Sequence, residues 1–155
     1  SDVFLAKYNH RGERIWLDVF GERGHVYPKA LTILDDENIY VAGTTSVQLD
    51  GQLLAGGEDG FLSNYSSSGS RRWTELVGSE DSQLTDSNYF QADAYSLAHG
   101  VDGLIYVTGK TFNGIDGQNI LDVEEHGNGY DAYMAVFDKD GERLRTKLFG
   151  STQIP

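Results

Sequence analysis

Apolar residues along this chain fall in short runs, each closed by a cluster of Gly, Asp, Asn or Ser, and no stretch holds a helical period. Val3 to Tyr8 is such a run; Asn9-His10-Arg11-Gly12 turns the chain, and Glu13 to Phe20 returns. Ala30 to Leu34 and Ile39 to Ala42 flank Asp35-Asp36-Glu37-Asn38 in the same way. The runs are apolar on both faces: Phe4, Ala6 and Tyr8 alternate with Val3 and Leu5, and Ile15, Leu17 and Val19 with Trp16 and Phe20. A strand covered on one side only would alternate more cleanly with polar residues. The pattern predicts short antiparallel strands in sheets that are themselves sandwiched between sheets.

The runs repeat. DVFLAKYNHRGERIWLDVFG (2–21), DGFLSNYSSSGSRRWTELVG (59–78) and DAYMAVFDKDGERLRTKLFG (131–150) align without a gap. Asp2, Asp59 and Asp131 fall in register, as do Gly12, Gly69 and Gly141, then Arg14, Arg71 and Arg143, then Gly21, Gly78 and Gly150. A second motif alternates with the first: ALTILDDENIYVAGTTSVQLDGQ (30–52) matches SLAHGVDGLIYVTGKTFNGIDGQ (96–118). A repeat of this period signals a propeller, a solenoid or an array. With the strands lettered A to D, 2–21 is a C–D half, 30–78 a four-stranded meander and 95–150 a second. The expectation is an all-β chain of antiparallel four-stranded meander blades of a β-propeller, about two and a half blades, partial or open. Such a set leaves open edges, so further blades of a parent chain, or self-association through those edges, are the expected structural partners. The start at Ser1-Asp2 inside a repeat reads as an excised piece.

LDDENIYVAGTT, GVDGLIYVTGKT and DAYMAVFDKDGERLRTKLFG, with the LDGQ loop, resemble the SBBP class of β-propeller repeat over nearly the whole chain. The resemblance implies a large secreted or surface-attached bacterial protein, often one that also carries calcium-binding repeats and adhesive modules. It implies a fold and leaves the activity open, because propellers host unrelated functions.

Composition narrows the partners. The 155 residues carry a net charge of −12, which repels phosphate backbones and makes nucleic acid an unsuitable partner. Cysteine is absent, so there is no disulfide, thiolate metal site or Cys nucleophile. No apolar run approaches a membrane span, and no stretch of these residues reads as a signal peptide. No GxSxG elbow, phosphate loop or HExxH spacing occurs, and His10, His25, His99 and His126 show no zinc pattern. Asn64-Tyr65-Ser66 is a sequon lying within a strand.

An up-and-down meander puts the A–B and C–D turns at one end and the B–C and D–A connections at the other. The second set is long and variable, and loops that vary on a rigid scaffold carry binding. D–A grows from Glu22–Pro28 to Ser79–Asp93, and B–C from Thr44–Glu58 to Lys110–Tyr130. Tyr27, Tyr89, Phe90, Phe112 and Tyr130 lie there as candidate ligand-binding residues, since aromatics in polar loops stack on sugars or anchor a protein. The loops are acidic through Glu80, Asp81, Asp86, Asp93, Asp122, Glu124 and Glu125. Asp50, Asp59, Asp116 and Asp131 recur at equivalent positions and are the candidate ligands for calcium, which takes several oxygens from flexible loops. Asp-Gly is also common turn chemistry, and an Asp at a strand entrance often bonds its own backbone. Trp16, Trp73 and the repeated arginines read as packing and pairing between repeats. The leading expectation is a non-catalytic binding or adhesion module, extracellular or at the cell surface, taking a glycan or protein on this face. The rivals are a polysaccharide hydrolase, against which stands the lack of acids in Ala30–Leu34 and Tyr95–His99, and a structural spacer.

Overall fold

The computed structural model describes residues 2–21, 24–34, 37–78, 92–112, 114–118 and 130–150. Those residues form ten strands: β1 (Val3–Tyr8), β2 (Arg14–Phe20), β3 (Val26–Ile33), β4 (Ile39–Thr45), β5 (Asp59–Tyr65), β6 (Arg71–Val77), β7 (Ala92–His99), β8 (Ile105–Thr111), β9 (Asp131–Phe137) and β10 (Arg143–Phe149). They make three antiparallel sheets: sheet I is β1–β2, sheet II is β3–β4–β5–β6 and sheet III is β7–β8–β9–β10, each in chain order. The fold is all-β, as the alternating runs predict.

The local chemistry of the turns sets the hairpins. Gly12, Gly69 and Gly141 have φ of 78°, 89° and 94°, a left-handed conformation that strains any residue with a Cβ. Before each, one side chain ties the turn. Asn9 Oδ1 accepts from the amides of Arg11 and Glu13, Ser66 Oγ from Ser70, and Asp138 Oδ1 from Asp140 and Glu142. Asp138-Lys139-Asp140-Gly141 is thus a hairpin turn, the reading its alignment with 9–12 and 66–69 favours. Every one of these C–D hairpins also slips register by a bulge beside the turn, at Lys7/Tyr8, Asn64/Tyr65 and Arg143/Arg145.

Sheet II is the middle layer, and β4 and β5 are buried along their whole length. This accounts for apolar residues on both of their faces. One core cluster joins sheets I and II through Val3, Phe20, Val41, Phe61 and Tyr65; Phe20 meets Phe61 edge-on with centroids 6.1 Å apart. The other joins sheets II and III through Tyr40, Leu62, Ile105, Val107, Tyr133 and Phe137. The repeated tryptophans are the seams. Trp16 lies on the Gly69 turn and donates its indole N–H to Ser67 O at 3.1 Å. Trp73 lies on the Gly141 turn, 5.9 Å from the Tyr40 ring.

The sequence reading starts the A strands too late. They begin at Val26 and Ala92, not at Ala30 and Tyr95. Pro28 suggests a break, but β3 is an edge strand that bulges between Pro28 and Ala30, and an edge bulge tolerates a residue with no N–H. Tyr27 therefore belongs to a strand rather than a loop. Thr44 and Lys110, at the starts of the expected loops, likewise lie within β4 and β8.

Candidate functional site

The β4–β5 connection begins with a tight turn. Asp50 and Gly51 both have positive φ, 51° and 80°, as do Asp116 and Gly117 at 51° and 72°. That pair of angles is the two-residue I′ turn which Asp-Gly favours. Leu49 bridges Gln52 and Ile115 bridges Gln118 across it. The turn then lies along the outer sheet edge. Gln52 donates Nε2–H to Thr74 O at 2.6 Å and accepts from the Leu76 amide at 3.1 Å, so its side-chain amide acts as one more strand residue beside β6. Gln118 does the same to Thr146 and Leu148 of β10, at 2.7 and 3.3 Å. Asp50 pairs with Arg71 and Asp116 with Arg143, each at 2.8 Å. The repeated arginines of β6 and β10 are thus paired, as their register suggests, and their partners are two of the carboxylates singled out for calcium.

Asp59 and Asp131 are buried at the start of their strands. Asp59 Oδ2 accepts from the Ala55 amide at 2.7 Å, and burial raises its pKa above the ordinary carboxylate range against the pull of that bond and one from Gly56. Each carboxyl lies against the glycine that ends its repeat: a Cβ on Gly78 would stand 2.6 Å from Asp59 Oδ2, and one on Gly150 would strike Asp131. The in-register Asp and Gly of the repeat are therefore one contact. Among the described residues, no three His, Asp or Glu side chains are placed to hold one ion. The four candidate metal ligands lie apart, Asp50 and Asp116 each in its own edge turn and Asp59 and Asp131 each at its own strand entrance, and do not form one ligand set there.

The aromatic candidates are more closely grouped. At the ends of β7, β8 and β9, Phe112 meets Tyr130 edge-on with centroids 5.3 Å apart, and Lys110 Nζ stands 4.1 Å from the centre of the Tyr130 ring. The same ammonium lies 5.9 Å from the Tyr95 ring and 3.5 Å from Asp93 Oδ2. Asp93 ties two sheets, accepting from Tyr95 OH at 3.0 Å and from Thr44 Oγ1 of sheet II at 2.8 Å. Burial, and then the bond to Asp93, push the Tyr95 hydroxyl up, while the Lys110 hydrogen bond opposes them. Burial alone would pull the Lys110 ammonium down; the Tyr95 hydroxyl, Asp93 and Tyr130 outweigh it and hold the charge on. The result is a fixed cation among rings with Tyr95 44% and Tyr130 46% exposed. Cation–π contact and charge pairing both hold its geometry. Tyr27 stands apart from this group, stacked on His25 at 5.7 Å with Lys29 Nζ 5.7 Å from its ring. Tyr89 and Phe90 lie outside the described residues.

Sequence reasoning missed Tyr95 and Lys110 as site residues. Their signal is departure from the repeat: the equivalent positions in sheet II hold Lys29 and Thr44. A position that changes chemistry on an otherwise repeated frame is where one copy has acquired something of its own.

No family model matches the chain. It is 27% identical over 165 residues to a protein described as "Regulatory protein FlaEY" from Caulobacter vibrioides, in an alignment that covers 99% of this chain and 16% of that protein. The chain therefore spans a small part of the relative's length.

Proposed function

We propose that this chain is a run of β-propeller blades of the SBBP repeat type, serving as a non-catalytic binding module of an extracellular or surface protein. Its ligand meets the end of the sheets where the β6–β7 and β8–β9 connections leave. The observation that carries this is the Lys110 group: the half-exposed rings of Tyr95 and Tyr130 on one ammonium, with Phe112 against Tyr130, at the roots of the two longest connections. A protein ligand suits it better than a glycan. Sugar stacking needs a bare ring face, and here one Tyr130 face holds Lys110 and Phe112 abuts the ring. Half-buried tyrosine beside a fixed charge is the composition of a protein-interface anchor. A regulatory role, such as the description of the Caulobacter relative names, is served by binding a protein. Calcium enters this reading only through the acidic connections, because Asp50 and Asp116 are engaged by arginine.

A photo-crosslinking residue placed at Tyr130 in the native cell tests the site. A discrete adduct that disappears with Lys110→Glu, and is absent when the label replaces Val101 in the β7–β8 turn, supports it. Equal labelling from both positions overturns it, and binding on a glycan array without any protein adduct moves the ligand to carbohydrate. Melts in EDTA, magnesium and calcium decide the ion: a midpoint raised by calcium beyond magnesium keeps it, and equal midpoints remove it.

A further inference from the structure

Sheets II and III each have an A–B hairpin beside their C–D hairpin, and sheet I has none. Three features of the structure stand bare where that hairpin would lie. The first is the edge of β1, which among the described residues pairs only with β2. The second is a groove of about 370 Å³ beside that edge, lined by Leu5, Trp16, Leu31, Ile33 and Ile39. Leu97, the sheet III equivalent of Leu31, packs into the core between sheets II and III, yet Leu31 itself is 51% exposed. The same residue at the same position is covered in one sheet and open in the other, and only the neighbouring A–B hairpin differs. The third is Arg14. Its equivalents Arg71 and Arg143 pair with the Asp of an Asp-Gly-Gln turn, whereas Arg14 is exposed and has no ion pair among the described residues.

We infer that the free edge of β1, the Leu31–Trp16 groove and Arg14 form one docking surface, and that its occupant is a β-hairpin of the 26–52 type carried by the same polypeptide. The occupant is fixed by continuity with interfaces already present. In sheet II, β4 pairs with β5 through Ile39↔Tyr65, Val41↔Ser63, Gly43↔Phe61 and Thr45↔Asp59. Transferred to sheet I, the incoming inner strand meets Tyr8, Ala6, Phe4 and Asp2 in that register. Its other strand covers Leu31 and Ile33, and its Asp-Gly-Gln turn reaches round to β2, the Asp on Arg14 and the Gln beside Leu17 and Val19. Main-chain pairing supplies the affinity, and the alternating apolar residues supply the register, as in other cases of strand addition. The inference is independent of the ligand at Lys110, since it concerns the opposite end of the molecule.

The chain supplies its own probe. A second copy of residues 24–58 fused directly ahead of Asp2 places a hairpin and its Asp-Gly-Gln turn as they stand ahead of Asp59. The fused chain is expected to unfold about 5 °C or more above the parent, to protect the β1 amides from hydrogen exchange and to blue-shift Trp16 emission in a Trp73→Phe background. A scrambled copy should do none of these. Arg14→Ala should remove part of the gain in the fused chain while leaving the parent's midpoint unchanged, a pattern that a general effect of added length does not produce. Unprotected β1 amides in the fused chain overturn the inference. So does β1 protection that grows with protein concentration in a Phe4→Glu, Val19→Glu chain, whose sheet I face can no longer stack on a copy of itself, since a second copy would then be the occupant of the edge.

Discussion

Gly69 and Gly12 share a sequence position, a turn and a left-handed φ, but differ in what stands over them. A Cβ at Gly69 would come 2.6 Å from the Trp16 ring, and one at Gly12 meets nothing within 4 Å. Gly12→Ala is expected to cost about 1 kcal/mol, the strain of the left-handed conformation alone. Gly69→Ala adds displacement of a packed indole and is expected to cost about 2–4 kcal/mol. Urea melts of the two variants compare them directly, and equal losses would mean that Trp16 does not seal the seam. Asp59 gives a second prediction at this scale. Burial raises its folded pKa above 3.8, so the folded state holds its proton more tightly than the unfolded state. Its contribution is therefore full below 3.8 and declines as pH rises through the folded pKa. Asp59→Asn removes that titration. Melts across acid and neutral pH are expected to show the variant gaining on the parent as pH rises, and parallel profiles would contradict the buried, strained carboxyl. Much at this scale was legible. The alignment put Asp, Gly, Arg and Trp in register, and they prove to be partners: Asp59 with Gly78, Arg71 with Asp50, Trp16 with Gly69. Which residue partners which was not legible, because register along the chain gives no distance between chain segments. So Asp50 and Arg71 drew separate expectations, a calcium ligand and a pairing, with no sign in the sequence that the two form one ion pair.

At the scale of the element, the instructive piece is the β4–β5 connection. Its length reads as a presented loop, yet its first half lies along β6 and uses the Gln52 side chain to satisfy an otherwise open strand edge. Exposed edges recruit other strands, and proteins cover them by such devices. Gln52→Ala and Gln118→Ala are each expected to cost about 1–2 kcal/mol, since each leaves an amide and a carbonyl of the edge without a protein partner. The sharper readout is local. Hydrogen exchange at the Leu76 amide should accelerate in Gln52→Ala and at the Leu148 amide in Gln118→Ala, with the other edge unchanged in each case. Unaltered exchange would show that the amide contact does not protect the edge. The Asp-Gly-Gln repeat was visible in the sequence, and Asp-Gly announced the turn. The Gln gave no such signal, because its role depends on an edge strand that is more than twenty residues away along the chain. The strand starts were misjudged for a related reason: Pro28 breaks a central strand but not an edge strand with a bulge, and edge status is a property of the sheet rather than of the segment.

The whole molecule is a stack with unlike ends, and this decides its behaviour in solution. The outer face of sheet I carries Phe4, Tyr8, Ile15, Leu17 and Val19, with Phe4 71% and Val19 57% exposed although they pair across the sheet. Their equivalents on sheet II, Phe61 and Tyr65, are completely buried against sheet I. The face is thus of interior type, an apolar patch of the kind that draws association. At the other end, sheet III turns Arg145 and Lys147 outward with Phe149, and Arg145 stands where Trp16 and Trp73 seal the inner seams. Head-to-tail stacking would bring Arg145 onto the turn that holds Arg11, two like charges at a buried seam. The expected contact is therefore sheet I on sheet I, which would close on itself as a dimer rather than grow into a filament. Net charge of −12 opposes that contact at low ionic strength, and salt weakens the opposition. Sedimentation is expected to show a monomer passing to a dimer as protein and salt concentration rise. Placing like charges at the paired positions, Phe4→Glu with Val19→Glu, should abolish the dimer and leave the unfolding midpoint of the monomer nearly unchanged, because both side chains are already in water there. Oligomers that grow beyond two, or a dimer that survives the double variant, would mean that sheet III, or another part of the stack, makes the contact instead.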